Sequence, residues 1–403
     1  MSKNINFKSS IGRSYFNNSL HSKNKAKLKI IVEKILHSLS YKKDVFHSFS
    51  KNFNLNIKYS KIIKFNKYKS IILVGMGGSA LGAEAIHSIC EDRIKKNFIF
   101  LNDLDQSKIE KVKKNINLKK SLFIIISKSG NTLETLININ SLEDKINNKN
   151  TIIITENSKN LLNQFAKKKK ILLIEHKNYI GGRYSVLSEV GMVPAYFMGL
   201  KIKFFRKNLL SFFKSKKKNF LIDNVSKLTH IYKTKKINSI ILLNYAPEVN
   251  NFLYWLQQLI AESLGKKGKG IIPIVSPAPK DHHSLMQLYL DGPKDKLFYI
   301  FSLKLNKKMK INFNTFGKKF THIKNKDFSN VKEAQKNALI KVLKNKNIPF
   351  QEFEINKRNE ETLGEIFSYF IAETILIGRL LDINPFDQPA VEQVKILTKK
   401  HLS

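Results

Sequence analysis

Short apolar runs recur at regular intervals along this chain, with helical patterns between them. The runs are Ile71 to Val74, Phe98 to Leu101, Phe123 to Ile126, Thr151 to Ile154 and Ile171 to Ile174. Continuous apolarity marks strands covered on both faces, and strands alternating with helices mark repeated βαβ units around a parallel sheet. A second set follows a lysine-rich stretch, Lys201 to Lys218. It comprises a strand at Ile240 to Leu243, an amphipathic helix at Phe252 to Ser263, strands at Ile271 to Val275 and Leu297 to Phe301, and helices over Val331 to Leu343 and Leu363 to Leu381. The first fifty residues read as a helical, polar appendage in which Ile30, Ile31, Ile35 and Leu36 supply one face. Asn384-Pro385-Phe386 detaches a last helical tail. The expected architecture is therefore α/β: a helical segment over 1–50, a parallel-sheet domain over 51–200, a second over 201–382 and a tail over 383–403. Two such domains place a cleft between them, a preferred position for a small-molecule site.

Two of the strand-to-helix turns have the makings of an anion pocket. Leu122-Phe123-Ile124-Ile125-Ile126 runs into Ser127-Lys128-Ser129-Gly130-Asn131-Thr132, and Leu133-Glu134-Thr135-Leu136 opens a helix. The free N–H groups of that helix start, the hydroxyls of Ser127, Ser129 and Thr132, and the charge of Lys128 together suit a phosphomonoester. A capped turn with no ligand is the competing reading, because Ser and Thr are ordinary capping residues. The second turn, Gly75-Met76-Gly77-Gly78-Ser79, lets backbone approach a bulky polar ligand. In a doubly wound sheet both loops face one crevice beyond the strand ends. A dinucleotide would call for an acid about twenty residues further on, and Asn102-Asp103 sits a little far for that, so a sugar phosphate fits better.

Composition narrows the class. With 42% hydrophobic residues over 403 positions the chain can bury a large core, and no apolar run approaches the roughly 18 residues that span a bilayer. The segment Met1-Ser2-Lys3-Asn4-Ile5-Asn6-Phe7 lacks the apolar core of a signal peptide, so a cytoplasmic location is expected. Cys90, the single cysteine, excludes an internal disulfide framework and reads as a small core residue. The formal charge of +41 would suit nucleic acid or an acidic membrane, yet only six of the 72 basic residues are arginine. The lysines lie in short clusters without interleaved aromatics, which favours a solvated surface and neither nucleic acid nor membrane as partner. Its field would still draw in an anionic sugar.

Chemistry on such a sugar needs a base, an acid and a cation for a developing oxyanion. Glu262 sits on an otherwise apolar helix close to its glycine-marked end, where partial burial would make it a better base; a surface glutamate capping the turn is the alternative. Asp281-His282-His283 carries adjacent histidines that diverge on a helix, and no spacing suited to zinc occurs. Arg183 follows the pair Gly181-Gly182 and reads either as an oxyanion partner or as a structural ion pair.

These segments, taken in order, resemble the glucose-6-phosphate isomerase family. They are Gly77-Gly78-Ser79, Ser127-Lys128-Ser129-Gly130-Asn131-Thr132, Gly181-Gly182-Arg183-Tyr184-Ser185-Val186-Leu187-Ser188, Ala261-Glu262-Ser263-Leu264-Gly265-Lys266 and Pro385-Phe386-Asp387-Gln388-Pro389. The third, GGR(F/Y)SVxS, is the most specific. The resemblance implies two sugar isomerase (SIS) domains, each an α/β sandwich, and a helical tail. It implies that Ser127, Lys128, Ser129 and Thr132 hold a 6-phosphate, with Gly78, Ser79, Gly182 and Gln388 also lining the substrate. Glu262 would carry a proton from C2 to C1 through a cis-enediol, Arg183 would stabilise the enediolate, His283 would open the ring and Lys395 would assist at the ring oxygen. Neither metal nor organic cofactor is implied. The histidine is expected from a neighbouring subunit, hence a homodimer.

Overall fold

The computed structural model describes residues 4–304, 309–311, 323 and 325–403. Its first strand, β1 (Ile5–Ser10), precedes a long helix, Asn18–Ser38. Five strands follow: β2 (Ser70–Val74), β3 (Asn97–Leu101), β4 (Ser121–Ile126), β5 (Thr151–Thr155) and β6 (Leu172–Glu175). After the helix Ser215–Thr234 come β7 (Ser239–Asn244), β8 (Ile272–Pro277), β9 (Lys296–Leu303) and β10 (Phe350–Ile355). The strands form two sheets, ordered β3-β2-β4-β5-β6 and β1-β10-β9-β7-β8. Every pairing is parallel except β1 with β10.

The two sheets are wound alike. In each, the second strand lies on one side of the first, and the third and fourth lie on the other. That pattern puts a topological switch between β2 and β4 and again between β7 and β9, and ligands favour such points. Alternating residues explain the layers. Ile71, Leu73, Leu122 and Ile124 join Ile240 and Leu242 in one continuous core shared by the two sheets, whereas Ile72, Val74, Phe123 and Ile125 face a separate outer cluster. Ile241 and Leu243 face the third. The α/β class, with two largely parallel sheets, matches the expectation from sequence.

Three features differ from that expectation. The N-terminal region opens with a strand, and β1 pairs antiparallel with β10, so the chain start is stitched into the second sheet. The Asn18–Ser38 helix buries Leu28, Val32 and Ile35, packs on Ser215–Thr234, and leaves Ile30 exposed. Ile30 therefore does not belong to the inner face. β10 was not expected either; its Gln351 and Glu352 are buried but partnered, by Asn224 and by Lys336 respectively.

Candidate active site

The seam between the sheets is made by two helices, Leu81–Cys90 after β2 and Asn250–Leu264 after β7, which pack against each other. Strand register sets Val74 beside Ile125, so the loops that leave β2 and β4 emerge together. In the β4 loop, Ser127 Oγ lies 2.9 Å from Thr132 Oγ1 and accepts the Gly130 N–H at 3.2 Å. Ser129 Oγ accepts the Asn131 N–H at 3.3 Å. Thr132 is the N-cap of Leu133–Asn140, and its hydroxyl faces Ser127 instead of capping that helix. Lys128 Nζ donates to the Asn178 carbonyl at 2.8 Å and stands 3.5 Å from Glu156 Oε1. The loop thus brings Ser127, Ser129 and Thr132 to one helix start, the setting suited to an anion, while the Lys128 ammonium is engaged by Asn178 and Glu156.

The β2 loop bridges from there to the acid. Gly77 has φ +51°, and a side chain on it would begin 2.8 Å from Gln258 Nε2. Gln258 in turn donates to Glu262 Oε1 at 2.9 Å, one turn along the same helix. Gly78 meets Gly182 so closely that an added Cβ would sit 2.3 Å from the Gly182 carbonyl carbon. Ser79, half-buried, closes the turn with its N–H on the Met76 carbonyl.

Arg183 is the hub. Only 3% exposed, it engages Ser263 Oγ through Nε at 2.8 Å, Glu262 Oε2 and Gln388 Oε1 through Nη1 at 3.1 Å each, and the Pro385 and Asp387 carbonyls through Nη2 at 2.6 and 3.0 Å. Its own carbonyl accepts the Trp255 indole N–H at 3.2 Å. The Pro385–Gln388 turn is pinned from below by Lys266, whose Nζ reaches Asn384 O, Asp387 O and Asp387 Oδ1. That hydrogen bond to Lys266 is the main cause holding the Asp387 carboxyl below its ordinary range. The Glu262 side chain remains 30% exposed and lines two clefts of about 590 and 730 Å³. A buried cation beside an accessible carboxylate is one arrangement compatible with proton abstraction next to a carbonyl.

A model of the phosphoglucose isomerase family matches residues 12–403. The chain belongs to that family. It is 30% identical over 345 residues, 83% of this chain and 84% of the relative, to a glucose-6-phosphate isomerase of Methanocaldococcus jannaschii. It is 31% identical over 376 residues, 89% of this chain and 91% of the relative, to one of Campylobacter jejuni. A glucose-6-phosphate isomerase structure from Chlamydia trachomatis superimposes with TM-score 0.77 at 16% identity, covering all of this chain and 89% of that one. A hypothetical protein from Thermus thermophilus gives TM-score 0.84 at 20% identity, covering 99% and 100%. These likenesses carry the fold.

Within the family frame, a single chain brings Glu262, Arg183, Gln388, Gly78 and Gly182 into one contact group and Ser127 to Thr132 into the neighbouring loop. It does not bring two others there. His283 is exposed just after β8, and its ring makes no hydrogen bond among the described residues; His282 Nε2 instead pairs with the Tyr245 hydroxyl at 2.7 Å. Burial, then the neighbouring His283, lowers the His282 pKa against the opposing pull of Asp281. Lys395 lies on the exposed helix Pro389–Leu402 and pairs with Glu392 at 2.6 Å. Among the described residues no cluster of His, Cys, Asp and Glu is arranged to hold a metal, and no helix is long and apolar enough to cross a membrane. Sequence reasoning missed Gln258, Ser263, Tyr184 and the Pro385 and Asp387 carbonyls. Gln258 carried one usable signal, its placement four residues before Glu262.

Proposed function

We propose that this chain interconverts glucose 6-phosphate and fructose 6-phosphate at the seam just described. The observation that carries the reading is the Arg183–Glu262 pair at 3.1 Å, set one loop away from a hydroxyl-lined helix start. The 6-phosphate is held by Ser127, Lys128, Ser129 and Thr132, while Gly78, Ser79, Gly182 and Gln388 line the sugar. Glu262 removes the proton from C2 of the open-chain aldose; the C2–H electron pair forms the C1=C2 bond as the C1=O π pair moves onto oxygen, giving the enediolate, whose C1 oxygen takes a proton from water. Glu262 then returns its proton to C1 as the C2 hydroxyl gives up its own and becomes the ketone. Arg183 stabilises the enediolate oxygen between these steps, an interaction strongest in the transition state and therefore one that raises turnover.

Ring opening precedes this exchange. His283 serves it from the neighbouring subunit and Lys395 assists at the ring oxygen, so the working unit is a homodimer in the cytoplasm. Support for the partner's role comes from the placement of His283, outside the contact group of its own chain. The helix bearing Lys395 adds to it, since its Val394, Ile396, Leu397 and Leu402 are all exposed. No metal or organic cofactor is assigned a role in these steps. The test is Glu262→Gln in a coupled assay. Turnover should fall by at least about two orders of magnitude, the scale of a general base, with competitive inhibition by inorganic phosphate retained; turnover like the wild type would refute the role of Glu262.

A further inference from the structure

Arg183 has five N–H groups and all five are engaged, but the partners are of two kinds. Nε and Nη2 donate to Ser263 Oγ and to the carbonyls of Pro385 and Asp387. Ser263 is fully buried, and the two carbonyls belong to a turn already tied down by Lys266. Both bonds from Nη1 are longer, 3.1 Å, and go to Glu262 and Gln388, side chains that line the same cleft. The guanidinium therefore has an anchored edge and one working nitrogen that faces the reacting groups.

The anchored edge is a closed circuit. Burial pushes the Tyr184 phenol up, so its hydroxyl stays protonated, and it donates to the Pro385 carbonyl at 2.7 Å. Tyr184 Oη is then left as the acceptor for the Ser263 proton, across 2.7 Å. Direction runs from Arg183 Nε–H to Ser263, from Ser263 to Tyr184, and from Tyr184 to Pro385, whose oxygen also receives Nη2 of the same arginine. A planar guanidinium held at two edges cannot roll about its long axis. Within this circuit only Ser263 comes from the helix of Glu262, and it is the very next residue. Base and cation are thereby referenced to one rigid element.

We propose that Ser263 is a positioning residue for proton transfer: its hydroxyl sets the roll of the Arg183 guanidinium so that Nη1 points at Glu262 and at the enediolate oxygen. The proposal rests on the roles given above to Glu262 and Arg183. Removing the hydroxyl leaves a buried Nε–H without a partner, and the guanidinium turns to find one. Nη1 then leaves its line to Glu262 while the phosphate loop, in the other sheet, is untouched.

The experiment compares S263A, S263T, Y184F and E262Q by steady-state kinetics, by inhibition with inorganic phosphate, and by thermal melting. S263A should lower kcat about 10- to 100-fold, the scale of a small misplacement at a reacting centre, with KM and the phosphate inhibition constant changed less than about threefold. S263T, which keeps a hydroxyl, should recover most of that kcat. Y184F takes the acceptor from the Ser263 proton but leaves Arg183 all its acceptors, so its loss of kcat should be smaller than that of S263A. Wild-type kcat in S263A alongside an inactive E262Q overturns the positioning role and leaves the base intact. Wild-type kcat in E262Q overturns the reading beneath it. A loss in S263A that follows its melting temperature, raises KM equally and is not relieved by S263T also overturns it. Should S263A not fold, S263T and S263V, of nearly equal volume, make the same comparison: equal kcat in the two contradicts the proposal.

Discussion

Glycine and arginine decide this site at the scale of single residues. Gly78 and Gly182 let two loops from different parts of the chain touch, and the Arg183 backbone that follows is held there by Trp255. Gly78→Ala drives a methyl group to 2.3 Å from the Gly182 carbonyl carbon, an overlap that backbone must relieve. Overpacking of that kind costs about 1–3 kcal/mol, so thermal melting should show a lower Tm, and turnover should fall with it as Arg183 shifts. An unchanged Tm and rate would mean that the loops are not in contact. Motif order marked Arg183, Glu262 and the Ser127–Thr132 loop as candidates before any coordinates, because glycine pairs and hydroxyl turns after apolar runs are local signals, and the structure adds the contact between Arg183 and Glu262. The hydrogen bonds of Ser263 and Tyr184 to the Arg183 cluster were not legible. A buried serine is chosen by the direction of one hydrogen bond, and backbone carbonyls such as those of Pro385 and Asp387 leave no trace in side-chain identity.

Among the elements, the strands with uninterrupted apolar runs were readable, and those carrying polar residues were not. β10 reads Phe-Gln-Glu-Phe-Glu-Ile, yet it lies inside the sheet because Asn224, Lys8 and Lys336 satisfy its polar groups. β1 is a short edge strand whose alternation is too brief to stand out. A buried polar network also links the helices that cover this sheet. Glu373 accepts from the Tyr369 hydroxyl at 2.6 Å, from Asn224 at 2.8 Å and from the Tyr299 hydroxyl at 3.2 Å, and no cation among the described residues bonds it. Burial pushes its carboxyl up to about 7, against the weaker opposing pull of those three donors. The sign follows from linkage: the unfolded chain gives up this proton at lower pH than the folded one, so the stability that depends on it is complete in acid and is lost as pH rises through about 7. Glu373→Gln should therefore melt higher than the wild type at pH 8 and closer to it at pH 5. A difference in Tm that is constant across that range would show that Glu373 does not titrate there.

For the whole molecule, two alike sheets share one core and meet along the Leu81–Cys90 and Asn250–Leu264 helices, so the halves of the site are fixed relative to each other. The parallel-sheet class followed from the spacing of apolar runs. The attachment of the N-terminus to the far sheet did not, since pairing between β1 and β10 joins residues distant in sequence. Completion of the site by a partner has a distinct signature in mixtures. Refolding E262Q together with H283A, each inactive alone, should give hybrid dimers with one intact site and roughly a quarter of wild-type activity, as expected for random pairing around a two-fold axis. No recovery would place His283 with the Glu262 of its own chain, or outside catalysis.

The account turns on one carboxylate carrying hydrogen between adjacent carbons. Glucose 6-phosphate deuterated at C2, converted by the wild type in ordinary water and analysed by mass spectrometry at early times, should yield fructose 6-phosphate with part of the deuterium at C1, and E262Q should yield neither product nor exchange. Product formed by E262Q at the wild-type rate with the same label at C1 would contradict it.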